Sequence, residues 1–208
     1  NLSPGPAQFP KEVLQKIYLD SNYYPSGSTF FEISHRSLEF KILLDKVNQN
    51  LKHLMKIPDD FTILWTQGGG HGQFSAVPLN LAHLINNGKR ANYIVSGTWS
   101  ERAYNEACKI INSYDSFNFD GAAIKHKSIS ADRMIISEDD AYVYFCSNET
   151  VNGTEFKKDG IPYPSRDMLK TTKSIIDMSS DFTMKNIDWT RLDVAFACTS
   201  KNLGLSGS

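Results

Sequence analysis

The sequence predicts an α/β domain built on a mostly parallel sheet with helices on both faces. Short apolar runs of strand length recur at 61–66, 92–97, 141–147, 174–179 and 193–200. Segments with helical spacing separate the earlier runs. The runs are continuously apolar, as strands covered on both sides must be, where a half-exposed strand would alternate.

The elements follow in order. Pro4, Gly5, Pro6 and Pro10 punctuate an opening loop. A helix is expected over 11–20, then a loop rich in Tyr, Pro, Gly and Ser over 22–29. Phe40, Leu43, Leu44, Val47, Leu51 and Leu54 draw one apolar stripe, the strongest helical pattern of the chain, and Pro58 is expected to end it. FTILWT (61–66) reads as a strand, 73–84 as a helix, NYIVSG (92–97) as a strand and 100–111 as a helix. AYVYFCS (141–147), SIIDMS (174–179) and DVAFACTS (193–200) complete the strands. The polar, Lys-rich stretch 152–173 reads as a surface connection. Residues 1–30 are expected to form an N-terminal segment and 31–208 a large ligand-binding domain.

Composition narrows the function classes. A net charge of -1 gives no electrostatic reason to seek nucleic acid or an anionic membrane. No apolar run approaches the roughly 20 residues a membrane span needs. Cys108, Cys146 and Cys198 form no CxxC pair, so free thiols in a reducing, cytoplasmic setting are expected, with neither a disulfide framework nor a metal site.

In open α/β sheets, ligands bind beyond the C-terminal ends of the strands. Three successive glycines, Gly68 to Gly70, follow the first predicted strand and precede a helix, with His71 next. Glycine backbone and a helix start suit a phosphate cradle; a flexible turn is the other reading. Trp99, at the end of the second strand, suits stacking on a planar ligand or ordinary core packing. Thr150 follows AYVYFCS and offers a hydroxyl, or simply closes a turn. Asp177 sits inside an apolar strand, where a carboxylate needs a cationic partner or several donors. Lys201, after VAFACTS, is placed for partial desolvation, which would free its amine to attack a carbonyl; an exposed turn lysine is the plainer reading. Phosphate cradle, ring stacker, hydroxyl, buried carboxylate and amine together describe a site for pyridoxal 5'-phosphate (PLP).

SPGPAQFP near the start, EISHRS (32–37), QGGGHGQF (67–74), GTW (97–99), NET (148–150), IDMSS (176–180) and SKNLG (200–204) occur in that order over almost the whole chain. In these segments the chain resembles the phosphoserine aminotransferases, a family of fold-type-I PLP enzymes. The resemblance implies that Lys201 bonds the cofactor aldehyde and shuttles a proton, and that Asp177 keeps the ring nitrogen protonated. It implies that Trp99 stacks on the ring, that Thr150 bonds its 3'-oxygen, and that the backbone at Gly70 and His71 holds the phosphate. It also implies that His35 and Arg36 contact substrate phosphate across a homodimer with shared active sites. His71 stands where the family often has Arg, and Ser200 where a phosphate-binding Gln is usual. The 150–177 connection is somewhat longer than usual. The family continues well beyond this lysine, so the chain is expected to be a fragment lacking the rest of the large domain and a small domain, and inactive alone. The implied reaction is transamination between O-phospho-L-serine and 2-oxoglutarate in L-serine biosynthesis. The alternatives are another fold-type-I PLP enzyme, or a non-catalytic protein that keeps the fold.

Overall fold

The structure is a computed structural model describing residues 5, 8–20, 24–29, 31–85, 89–111, 136–156 and 165–204. The chain divides into two compact units, Asn1–Leu64 and Trp65–Ser208.

The first unit holds helices α1 (Lys11–Asp20) and α2 (Leu38–Met55). Ser37 starts α2 by accepting the Phe40 N–H on its hydroxyl at 3.1 Å, which satisfies one of the donors a helix start leaves open. A left-handed Lys56 (φ 53°) stops it, and the following Ile57 N–H returns to the Lys52 carbonyl at 2.9 Å. The stop is thus made two residues before Pro58. Leu51 and Met55 are buried, whereas Leu54, part of the expected stripe, is 68% exposed.

Residues 61–66 do not form the expected strand; none of them joins a ladder, and Leu64 is 77% exposed. Apolar, β-branched sequence fits a sheet surface but makes a strand only where a neighbour supplies the hydrogen bonds.

The second unit carries a four-stranded parallel sheet: β1 (Arg90–Ile94), β2 (Asp140–Cys146), β5 (Lys173–Asp177) and β6 (Val194–Phe196), in the order β1-β2-β5-β6. The expected α/β class with a parallel sheet is what the chain adopts. Ile94 pairs with Phe145, Cys146 with Asp177 and Asp177 with Phe196, so the C-terminal strand ends share one edge. Helices α3 (Gly69–Ile85) and α4 (Thr98–Ile111) cover one face, with Phe74, Val77, Ala103 and Ala107 in one core with Tyr142, Tyr144 and Ile175. The small alanines, four residues apart on one side of α4, let the helix approach closely. Val143, Phe145 and Ile176, facing the other way, are also fully buried, as the continuous apolar runs require.

A short hairpin, β3 (Asn148–Glu149) and β4 (Thr154–Glu155), follows β2 directly. It corrects the reading of 152–173 as a plain surface connection. Thr154, Phe156, Leu169 and Thr172 are buried, and Phe156 meets Phe145 edge-on at 5.5 Å. The short helix α5 (Arg166–Leu169) brings Leu169 in; residues 157–164 lie outside the described residues. Lys185, 8% exposed at its side chain, bridges the hairpin to the segment after β5 through Asp181 at 2.8 Å and Glu155. Burial works against its charge, but the two carboxylates outweigh it and raise its pKa. A 3-10 turn (Trp189–Arg191) leads into β6, and α6 (Thr199–Asn202) follows that strand.

Candidate active site

The glycine run turns where only glycine turns easily: Gly68 has φ +94° and Gly69 φ +56°. Helix α3 starts from that turn, four residues earlier than the expected Gln73. The Gly72 N–H closes on the Gly68 carbonyl at 3.0 Å, and the Gly70 N–H donates to Cys198 Sγ at 3.0 Å. The N–H groups of Gly69 and His71 have no acceptor among the described residues. Unpaired donors at the positive end of a helix dipole form an anion cradle. The His71 ring is exposed and meets Trp99 edge-on at 6.0 Å.

Trp99 lies in the first turn of α4, and a buried carboxylate holds that turn. Glu149, fully buried in the hairpin after β2, accepts the N–H groups of Trp99 and Ser100 at 2.8 Å each and the Ser100 hydroxyl at 2.5 Å. Asn152 Oδ1 accepts the Thr98 N–H at 2.7 Å. Together they satisfy the donors that open α4, and a carboxylate suits the dipole there. Gly97 makes room for them: a Cβ on it would lie 2.6 Å from Asn152 Oδ1 and 2.8 Å from Glu149 Cδ. With both ends anchored, the Trp99 indole Nε1 donates to Thr150 Oγ1 at 2.9 Å. Arg102 stacks on the indole, its guanidinium carbon 4.9 Å from the ring centroid.

Asp177 ends β5, 4% exposed. Its Oδ1 accepts the Ser179 N–H at 2.8 Å, and Oδ2 takes a long hydrogen bond of 3.4 Å from the Tyr144 hydroxyl. It makes no ion pair among the described residues. Burial pushes its carboxyl up to about 6; the Ser179 hydrogen bonds oppose the rise, and Glu149 and Asp181 add to it. Burial also drives the Tyr144 hydroxyl well above its usual range, so it remains a donor.

Lys201 lies half-buried in α6, with Ser200 beside it. Three bonds tie this turn to its neighbours. The Cys198 N–H donates to Ser179 Oγ at 3.3 Å, Asn202 Nδ2 donates to the Ser180 carbonyl at 2.8 Å, and the Met178 N–H donates to the Phe196 carbonyl at 2.9 Å. The turns that carry Asp177 and Lys201 are therefore one hydrogen-bonded piece.

Gly70, His71, Trp99, Thr150, Asp177, Ser200 and Lys201 all lie in the second unit, beyond the C-terminal strand ends or at the helix starts beside them. His35 and Arg36 lie in the first unit, exposed in the turn before α2. Glu149, Asn152, Tyr144 and Cys198 went unassigned on sequence. A Glu between Asn and Thr just after an apolar strand was the one visible hint of a buried cap. All three cysteines are free thiols: Cys146 is buried, Cys108 and Cys198 half-buried. Among the described residues no cluster of His, Cys, Asp or Glu could hold a metal, and no helix is long and apolar enough to cross a membrane.

The residues fit PLP. Among the described residues, the Gly69 and His71 N–H groups are left to offer to a phosphate, and Asp177 is a buried carboxyl that lacks the cation a protonated ring nitrogen would be.

Comparison with known proteins points the same way. A family model described as aminotransferase class-V matches residues 1–208. The chain is 38% identical over 208 residues to the Caenorhabditis elegans protein named "Probable phosphoserine aminotransferase", covering 100% of this chain and 53% of that one. It is 36% identical to the phosphoserine aminotransferase of Desulfotalea psychrophila, covering 100% and 54%. The chain thus spans about half the length of the curated relatives it matches. Among solved structures, a PLP-bound phosphoserine aminotransferase from Trichomonas vaginalis superposes with a TM-score of 0.80 at 32% identity, covering 100% of this chain and 55% of that one. The phosphoserine aminotransferase of Bacillus circulans subsp. alkalophilus gives 0.78 at 27%, covering 98% and 54%.

Proposed function

This chain belongs to the class-V aminotransferase family, and from that premise we propose that it forms the cofactor-holding part of a PLP-dependent phosphoserine aminotransferase. The reaction is transamination between O-phospho-L-serine and 2-oxoglutarate, giving 3-phosphooxypyruvate and L-glutamate, in L-serine biosynthesis. The observation that carries the reading is Asp177, a buried carboxyl with no cation beside it among the described residues, hydrogen-bonded through Ser179 and Cys198 to the turn of Lys201.

PLP, when bound, supplies an aldehyde for an amine and a ring that takes up the electrons released when the substrate α-proton leaves. Lys201 would contribute the amine that condenses with the aldehyde, the aldehyde oxygen leaving as water, and would move the proton between the substrate α-carbon and the cofactor C4' atom. Asp177 keeps a proton on the ring nitrogen, which makes the ring the better electron acceptor. Trp99 covers the ring, and Thr150 donates its hydroxyl proton to the 3'-oxygen while accepting from the indole. The backbone at Gly70 and His71 would hold the phosphate, the Gly70 N–H being shared with Cys198 Sγ, aided by the Ser200 hydroxyl. His35 and Arg36 bind the substrate phosphate, a task suited to the planar guanidinium fork. The active protein is a cytoplasmic homodimer whose subunits share their sites, with 1–30 as an N-terminal segment and 31–208 within the large domain.

The test is spectroscopic and chemical. The intact protein incubated with PLP should turn yellow, lose the colour on borohydride treatment, and carry the reduced cofactor on the peptide containing Lys201. It should then form glutamate from phosphoserine and 2-oxoglutarate. Colour and turnover that survive Lys201→Ala would remove this mechanism.

A further inference from the structure

One donor of the phosphate cradle is already engaged. The Gly70 N–H donates to Cys198 Sγ at 3.0 Å. The same sulfur stands 3.3 Å and 3.8 Å from where Cβ atoms on Gly70 and Gly69 would be, so it rests against the glycine turn itself. The Cys198 backbone is pinned, its N–H bonded to Ser179 Oγ at 3.3 Å and its carbonyl accepting the Lys201 N–H at 3.4 Å. The sulfur can leave Gly70 by rotation about a single side-chain bond, with the backbone staying put. A thiol sulfur is a weak acceptor, while a charged phosphate oxygen is a strong one.

We propose that Cys198 is an internal competitor for the cofactor phosphate: its sulfur holds the Gly70 N–H, and phosphate gains that donor by turning the thiol aside. The proposal rests on the PLP reading above. Cys198 touches none of the reacting atoms; it sets how tightly the phosphate end of the cofactor is held, and so how far the site prefers phosphorylated pyridoxal over pyridoxal. The sign is unusual for a residue inside a site, because removing the thiol should strengthen binding. A general folding defect would weaken it.

The experiment titrates the intact protein, wild type and Cys198→Ala, with PLP and with pyridoxal, following tryptophan fluorescence. Pyridoxal has the same ring and aldehyde without the phosphate, so it reports whether the variant keeps its ring site. The expected result is PLP binding about three- to tenfold tighter in Cys198→Ala, the size of one displaced hydrogen bond, with pyridoxal unchanged. PLP binding that is unchanged or weaker overturns the proposal, as does an equal change for both ligands. A wild-type protein that binds neither ligand overturns the PLP reading as well, and that outcome is visible before any substitution is made.

Discussion

The Trp99 indole N–H donates to the Thr150 hydroxyl at 2.9 Å, so the residue expected to cover the cofactor ring and the residue expected to bond its 3'-oxygen are hydrogen-bonded to each other. They come from different strand ends, 51 residues apart in sequence. The bond fixes the indole plane and leaves the Thr150 hydroxyl proton free to point at a ligand, since that oxygen acts as acceptor toward the tryptophan.

Thr150→Val keeps the shape of the side chain and removes both roles. PLP affinity should fall by roughly fivefold, the worth of about one hydrogen bond near 1 kcal/mol. Trp99→Phe removes the indole donor and keeps a ring. The double variant should lose less than the sum of the two single losses, because both break the same bond. Cofactor titration of the three variants checks this; strict additivity would show that the two side chains act independently.

Glu149 carries the start of α4. Glu149→Gln places an amide where the N–H groups of Trp99 and Ser100 each need an acceptor, so one buried donor is left facing another. With the lost carboxylate–dipole attraction, the expected cost is roughly 2–3 kcal/mol of stability. Urea unfolding of the variant measures it. Trp99 fluorescence should change as well, because the first turn of α4 positions the indole.

Both of these sites show where sequence alone stops. The strand-end logic pointed to Trp99, Thr150, Asp177 and Lys201, because a parallel sheet gathers its C-terminal ends on one edge whatever the loops do. Residue types that carry chemistry then stood out against apolar runs. Glu149 and Cys198 did not stand out. Their roles depend on which loops meet, Glu149 reaching α4 from the hairpin and Cys198 reaching Gly70 from 128 residues away, and no local pattern encodes that. The strand expected at 61–66 failed for the same reason: FTILWT has strand-like residues, but pairing belongs to a partner as much as to the segment. The start of α3 was misjudged because three glycines read as a turn, and here the turn and the first helical residues are the same glycines.

Asp177 gives a pH signature. Its folded carboxyl titrates at about 6, against an ordinary value of 3.8. The folded state therefore holds this proton more tightly than the unfolded state does. Between those two values it binds more protons, so stability falls as pH rises from about 4 to about 6 and then levels off. A gap of about two pH units, at about 1.4 kcal/mol each, makes the loss about 3 kcal/mol. Protein stripped of cofactor should show this loss in denaturant unfolding from pH 4 to pH 7. Asp177→Asn, which keeps an acceptor for the Ser179 N–H, should lack this fall over the window and be the more stable protein above pH 6. The same variant should lose most of its turnover, since an amide cannot hold a proton on the ring nitrogen. Equal pH profiles for the two proteins would show that Asp177 is stabilised by something other than a proton.

Arg36 tests substrate choice. It lies exposed in the turn before α2, its N–H bonded to Ser34 Oγ at 3.2 Å, and its guanidinium makes no salt bridge among the described residues. Among the described residues, then, no ion pair at the start of α2 occupies this side chain. If it binds the substrate phosphate, Arg36→Ala should raise KM for phosphoserine by roughly tenfold or more, with the thermal midpoint unchanged because an exposed side chain is lost. The half-reaction with glutamate should suffer less. Its side-chain carboxylate offers the fork fewer oxygens and less charge than a phosphate does. Arg36→Lys, with the charge but without the fork, should fall between wild type and alanine. Separate single-turnover measurements with phosphoserine and with glutamate resolve the two effects. Equal losses for both substrates would place Arg36 in folding or subunit contact, and substrate phosphate recognition would then have to come from other residues.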